Sequence, residues 1–96
     1  MVHYVFMKYK PGYLTDEKFL ELAGMFTAAV SAVDGLSGCV VKRNTVERDT
    51  NMDLMVTFSY GNVAQLAAYI KHPLHLAIAA ESGPHETARF SFDCES

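Results

Sequence analysis

The sequence predicts one α+β domain in which strands and helices follow one another in the order βαββαβ. Apolar residues recur at every second position in some stretches and at every third or fourth in others, and glycine and proline separate these stretches. The chain has 96 residues, of which half are hydrophobic, and a chain of this size supports one core. We therefore expect a single domain over residues 1–96.

The first strand is predicted over residues 3–9, where both faces are largely apolar, as is typical of a strand covered on both sides. Pro11 and Gly12 end this strand. Thr15 is a suitable N-cap, with acidic residues in the following turn. Apolar residues then recur at helical spacing: Phe19, Leu22, Ala23, Phe26, Val30 and Val33. We expect the first helix to end at Asp34–Gly35, where glycine suits the left-handed residue of a helix terminus.

Three further strands are predicted from alternating or β-branched stretches. The second covers residues 39–43. The third covers residues 53–60 and places four apolar residues on one face: Leu54, Val56, Phe58 and Tyr60. The last strand, over residues 87–93, alternates cleanly, and we expect Ala88, Phe90 and Phe92 to face inward while Thr87, Arg89, Ser91 and Asp93 face outward.

The second helical segment is predicted to consist of two halves separated by a proline. Asn62 and Gln65 form an Asn-x-x-Gln variant of the capping box at its start. Pro73 pushes His72 away from the helical region, so a new helix should begin with Pro73 as its first residue. His75 then lies in the first turn of that helix, where the dipole disfavours imidazolium and favours a neutral side chain.

The element order predicts a ferredoxin-like fold, with a four-stranded antiparallel sheet and both helical segments on one face. The other face of strands one and three is too apolar to stay in contact with water. We therefore expect a homodimer in which two sheets close into a dimeric α+β barrel. The face carrying Val56 and Phe58 is predicted to form the interface.

Composition excludes several classes of function. The net charge of −3 and the lack of a basic cluster argue against nucleic-acid binding. No apolar stretch approaches the length of a membrane span, and no signal-type segment opens the chain, so we expect a cytoplasmic protein without a membrane partner. Cys39 and Cys94 show no Cys-x-x-Cys spacing and are predicted to be reduced thiols.

The segment that gives the most information about function is Tyr69-Ile70-Lys71-His72-Pro73-Leu74-His75. Together with the opening strand His3 to Lys10, Asp53 and Leu66, it resembles the stress-responsive α/β-barrel (Dabb) family over essentially the whole chain. The resemblance implies small dimeric α+β barrels of ferredoxin-like protomers. Most members have no assigned chemistry, so the resemblance implies shape more than reaction.

The resemblance also implies candidate site residues. The active-site histidines and tyrosine of a plant polyketide cyclase in the family correspond to His3, Tyr69 and His75. Another of its histidines corresponds to Leu54, and a pocket tyrosine falls near Met25 or Phe26. A neutral imidazole can remove a proton next to a carbonyl while a tyrosine hydroxyl stabilises the enolate, and no cofactor is needed. The further residues expected to line the ligand pocket are His72, Val5, Met7, Leu54 and Phe26.

Three functions therefore stay open, and the third of them is a purely structural role that requires no cavity. The first is a stress-responsive dimer that binds a small apolar or aromatic molecule in a cavity between sheet and helices, and the second is a cofactor-free enzyme of the cyclase type. In the plainest interpretation, His75 bridges the helix break while Tyr69 and His72 serve packing. His72 and His75 could also be a metal pair, but Pro73 breaks the geometry between them and no carboxylate or cysteine stands nearby. We expect no metal.

Overall fold

The computed structural model describes all residues from 1 to 96 and shows the predicted βαββαβ order. The second helical segment is split, as predicted, and a short 3₁₀ turn that the sequence did not indicate precedes the last strand. The elements are β1 (Val2–Tyr9), α1 (Asp16–Ser31), β2 (Ser37–Arg43), β3 (Leu54–Ser59), α2 (Val63–Lys71), α3 (Pro73–Ser82), the 3₁₀ turn (Gly83–His85) and β4 (Glu86–Cys94).

The four strands form one antiparallel sheet in the order β2-β3-β1-β4. Residues from all three helices join the strands in one core on a single face of the sheet. The fully or almost fully buried members of this core include Leu22 and Phe26 from α1, Tyr69 from α2, and Ile78 from α3. The ferredoxin-like fold predicted from the sequence is therefore confirmed.

The prediction that Val56 and Phe58 lie at a protein interface is wrong. These side chains are 0% and 1% exposed and lie beneath the helices. Strand residues alternate between faces, so the neighbours Met55 and Thr57 lie on the other side of β3. That side, which no helix covers, is called the open face below.

The predicted orientation of β4 is also wrong. Phe90 pairs with Phe6, and Phe92 pairs with Tyr4, so all four aromatic side chains lie on the open face. The β4 phenylalanines are 62% and 61% exposed. The alternation along β4 was predicted correctly, but the register against β1 decides which side faces the helices. Arg89, Ser91 and Asp93 consequently lie on the helix-covered face.

Local helix signals are largely confirmed. The Thr15 hydroxyl accepts a hydrogen bond from the Lys18 backbone N–H at 3.1 Å, and Asn62 and Gln65 form the complete capping box. The helix α1 ends at Ser31, earlier than Asp34–Gly35, because the chain continues in i→i+3 hydrogen bonds. Gly35 takes a left-handed conformation with φ of 88°.

No helix of the protein is long and apolar enough to cross a membrane.

Candidate functional site

A cavity of about 170 Å³ lies between the helix-covered face of the sheet and the segment where α2 meets α3. Six of the eight residues that the sequence suggested for a site line this cavity: His3, Val5, Met7, Phe26, Tyr69 and His75. An apolar cavity of about 150 Å³ in another protein stays dry and binds benzene. The volume here therefore suits a molecule with one aromatic ring.

The other two suggested residues lie outside the cavity lining. Leu54 is buried in the core beneath the helices. His72 leaves the helical conformation, as predicted for a residue before proline, and its Nδ1 accepts a hydrogen bond from the Leu74 backbone N–H at 3.0 Å. His72 therefore caps α3, of which Pro73 is the first residue.

His75 bridges the break between the two helices and also faces the cavity. Its Nδ1 lies 3.0 Å from the Ile70 carbonyl oxygen. Because a carbonyl only accepts hydrogen bonds, Nδ1 carries the proton, and Nε2 of the neutral ring keeps a free lone pair. Burial lowers the pKa of His75, and Arg89 and His3 lower it further, against an opposing effect of the Ile70 carbonyl. His75 is therefore a neutral base at physiological pH.

Tyr69 lies beside His75 and is 2% exposed. Its ring centroid is 4.7 Å from that of His75 and 4.8 Å from that of Phe58. Burial raises the pKa of the Tyr69 hydroxyl, and no hydrogen bond from the protein offsets this effect. The hydroxyl therefore stays protonated and can donate a hydrogen bond to a molecule in the cavity.

His3 is held from the sheet side. Its Nδ1 lies 2.8 Å from Asp93 Oδ1, and the Tyr60 hydroxyl donates to the same carboxylate oxygen at 2.9 Å. The ring of His3 also packs on Phe58 with centroids 5.1 Å apart. An ionised carboxylate accepts hydrogen bonds, so His3 Nδ1 is the donor and Nε2 is the nitrogen that this contact leaves unused.

Four polar residues that the sequence interpretation did not include also line the cavity: Ser82, Glu86, Arg89 and Ser91. Arg89 donates from Nε to Glu86 Oε1 at 2.8 Å and from Nη2 to Oε2 at 3.2 Å. The Ser82 hydroxyl donates to Glu86 Oε2 at 3.0 Å. The alternation of β4 indicated that Arg89 and Ser91 share a face, but that face was predicted to lie on the wrong side of the sheet.

This arrangement can position and polarise a small carbonyl compound. The imidazoles of His3 and His75 both use Nδ1 in contacts with protein groups, and the ring of Tyr69 lies beside that of His75. Such a set can accept a proton at Nε2 and donate a hydrogen bond to an oxygen. No group of three or more His, Cys, Asp or Glu side chains is arranged to hold a metal ion.

Comparison with known proteins gives one family match. The model of the stress responsive A/B barrel domain (Dabb) family matches residues 1–96. No curated protein matches the sequence significantly.

Several solved structures share the fold at low sequence identity. An Arabidopsis thaliana protein has a TM-score of 0.81 and 16% identity, covering 99% of this chain and 93% of its own. A dimeric ferredoxin-like protein of unknown function from Thermobifida fusca has a TM-score of 0.79 and 18% identity, covering 95% and 85%. A hydroxynitrile lyase from Passiflora edulis has a TM-score of 0.76 and 14% identity, covering 99% and 93%. At these identities the similarity establishes the fold alone.

Proposed function

The chain belongs to the stress responsive A/B barrel domain (Dabb) family, and from this premise we propose that it is a homodimer that binds a small, single-ring aromatic molecule in the cavity beside Tyr69 and His75. The observation that carries the proposal is the cavity of about 170 Å³, which Tyr69 and His75 line together with apolar side chains.

The walls of the cavity support an aromatic ligand. Val5, Met7, Phe26 and Ile78 supply apolar surface from the sheet and from two helices. Most small-molecule sites combine such walls with a few polar groups that fix orientation. Here the polar groups include the imidazoles of His3 and His75, the Tyr69 hydroxyl and the Arg89 guanidinium group.

Ligand binding is tested by filling the cavity. Ala79 lines it, and the neighbouring Ala80 on the same helix is exposed, so Ala79→Phe and Ala80→Phe form a matched pair. We expect benzyl alcohol, followed by NMR chemical shifts, to bind the wild type and Ala80→Phe but not Ala79→Phe. Equal binding to both variants, with each folded by circular dichroism, would place the ligand elsewhere.

The homodimer proposal rests on the open face. Tyr4, Phe6, Phe90 and Phe92, here called the aromatic cluster, lie together on the side of the sheet that no helix covers. Tyr4 lies 6.4 Å, between ring centroids, from both Phe6 and Phe92. An exposed apolar surface of this kind marks an interaction site in soluble proteins. The Thermobifida fusca protein of similar fold is described as dimeric.

An enzymatic role is the second candidate, and the pairing of Tyr69 with the neutral His75 favours it. In this hypothesis His75 Nε2 takes a proton from the carbon next to a carbonyl, and the C–H electron pair becomes the enolate. Tyr69 donates to the enolate oxygen and His3 assists. His75 then returns its proton when the enolate is quenched or attacks a second carbonyl, so no cofactor is consumed.

Proton transfer is measured directly by deuterium exchange. We expect the wild type to accelerate exchange of the methyl protons of acetophenone in D₂O, observed by NMR, while His75→Asn and Tyr69→Phe lose this acceleration. If both variants retain the wild-type rate, the enzymatic candidate is lost and the binding role stands.

The stress response and the cytoplasmic location stay part of the proposal. Immunoblotting of fractionated cells before and after heat, salt and oxidant treatment would detect both. A level that is constant under every treatment would remove the stress-response role.

A further inference from the structure

We propose that Arg89 makes the cavity selective for carboxylates, so that the preferred ligand is a single-ring aromatic acid with its ring inside and its carboxylate at Arg89. This inference rests on the proposed binding function and adds the chemical class of the ligand. Arg89 belongs to the face of β4 that was predicted to point to solvent. Three observations carry it.

The first observation is the position of Arg89. It pairs with Met7 across β1 and β4, and therefore lies on the same face of the sheet as the apolar floor of the cavity. Its side chain is 48% exposed. An arginine that lines a cavity and is also half exposed stands at the mouth, where it reaches both ligand and solvent.

The second observation is the free hydrogen-bonding edge of the guanidinium group. Arginine carries five N–H donors in a planar fork. Glu86 occupies Nε and one N–H of Nη2. Two N–H groups of Nη1 and one of Nη2 remain, and the Nη1–Nη2 edge matches the two oxygens of a carboxylate.

The third observation is that Glu86 is itself held in place. The Ser82 hydroxyl donates to Glu86 Oε2, and the Glu86 side chain is 8% exposed. The carboxylate therefore fixes the orientation of the guanidinium group instead of competing freely for its outer edge. The charge of Arg89 also reaches the interior, where it is one of the causes that lower the pKa of His75.

The remaining polar groups agree with an acid that also carries a ring. The Asp93 carboxylate accepts hydrogen bonds from His3 and Tyr60 on the sheet side. Tyr69 also lines the cavity, and its hydroxyl is a hydrogen-bond donor. Seven of the thirteen residues that line the cavity are hydrophobic.

The test compares benzoate with benzamide, which has nearly the same shape and no charge, by titration calorimetry on the full-length protein. We expect the wild type to bind benzoate at least about tenfold more tightly, the effect of one charge-assisted pair. Arg89→Gln should bring this ratio close to one, and Arg89→Lys should keep part of it because lysine keeps the charge but not the fork. Arg48→Gln, in an exposed loop, is the matched control and should keep the wild-type ratio.

A second variant covers the case in which Arg89→Gln fails to fold. Glu86→Gln keeps a side-chain oxygen that can accept the hydrogen bond from Arg89 Nε, so the guanidinium group stays oriented while the neighbouring negative charge is removed. Benzoate should therefore bind more tightly than to the wild type, and benzamide binding should be unchanged. Weaker or equal benzoate binding would overturn the inference.

The outcomes separate this inference from the proposed function. If benzoate and benzamide bind the wild type equally and Ala79→Phe abolishes both, the cavity binds ligands but Arg89 does not select them. If neither compound nor benzyl alcohol binds, the proposed function and this inference both fall.

Discussion

Replacing Phe92 by aspartate should break the proposed homodimer. Phe92 is 61% exposed, and a phenylalanine side chain contributes about 200 Å² of surface, so about 120 Å² is available for burial by a partner. At about 25 cal/mol per Å² this area is worth about 3 kcal/mol. A symmetric dimer contains the substitution twice, which gives about 6 kcal/mol as an upper estimate. Even half of this upper estimate, about 3 kcal/mol, is enough to raise the dimer dissociation constant more than a hundredfold.

Sedimentation velocity over a concentration series measures this change. Leu20→Asp is the control, because Leu20 is 69% exposed on α1, which lies on the opposite side of the sheet. We expect the wild type and Leu20→Asp to sediment as dimers and Phe92→Asp as a monomer with an unchanged far-ultraviolet spectrum. A dimer of Phe92→Asp with the wild-type dissociation constant would refute the assignment of the open face as the interface. A wild type that is monomeric at all concentrations would remove the homodimer itself.

Three further predictions concern stability. The pKa of His75 lies below its ordinary value of 6.5, so below that pH the unfolded chain binds more protons than the folded one. The wild type should therefore lose stability on acidification more steeply than His75→Asn. Urea midpoints that fall in parallel for the two proteins between pH 7 and pH 5 would contradict this. Asn62→Ala should cost about 1 kcal/mol, seen as a Tm lower by several degrees, whereas Asn62→Ser should keep most of the stability, and equal losses would argue against the cap. Gly35→Ala should cost more than about 1 kcal/mol, because φ is 88° and a Cβ there would clash with the Gln65 side chain. The control Gly24→Ala, in open space, should gain up to about 1 kcal/mol in thermal melts, and equal effects of the two substitutions would contradict this expectation.

Features decided by neighbouring residues could be predicted from the sequence. The caps at Thr15 and Asn62 and the helix start at Pro73 depend on groups within a few positions along the chain, and all three are confirmed. Which side of β4 faces the helices depends instead on its pairing with β1, far away in sequence. A one-residue difference in register reverses every side chain, and no local pattern contains that information.

The same limit applies to the site. The resemblance suggested His3, Tyr69 and His75 together, and the structure places all three on one cavity. Arg89 was not predicted as a site residue, because it was assigned to the solvent side of β4, where an arginine is ordinary. Its pairing with Glu86 is local, at a spacing of three residues, but only the fold shows that the pair stands beside the cavity.

The break at Pro73 has a chemical consequence for a side chain two positions further on. In an uninterrupted helix the Ile70 carbonyl would receive the Leu74 backbone N–H, but here that N–H turns to His72, and the carbonyl is left for His75. The choice of tautomer at His75 is thus set by an interruption of the main chain. Loss of Pro73 would allow the helix to run without a break, and the Ile70 carbonyl would then no longer hold His75 Nδ1. The acid–base character of the cavity would change without the replacement of any residue that lines it.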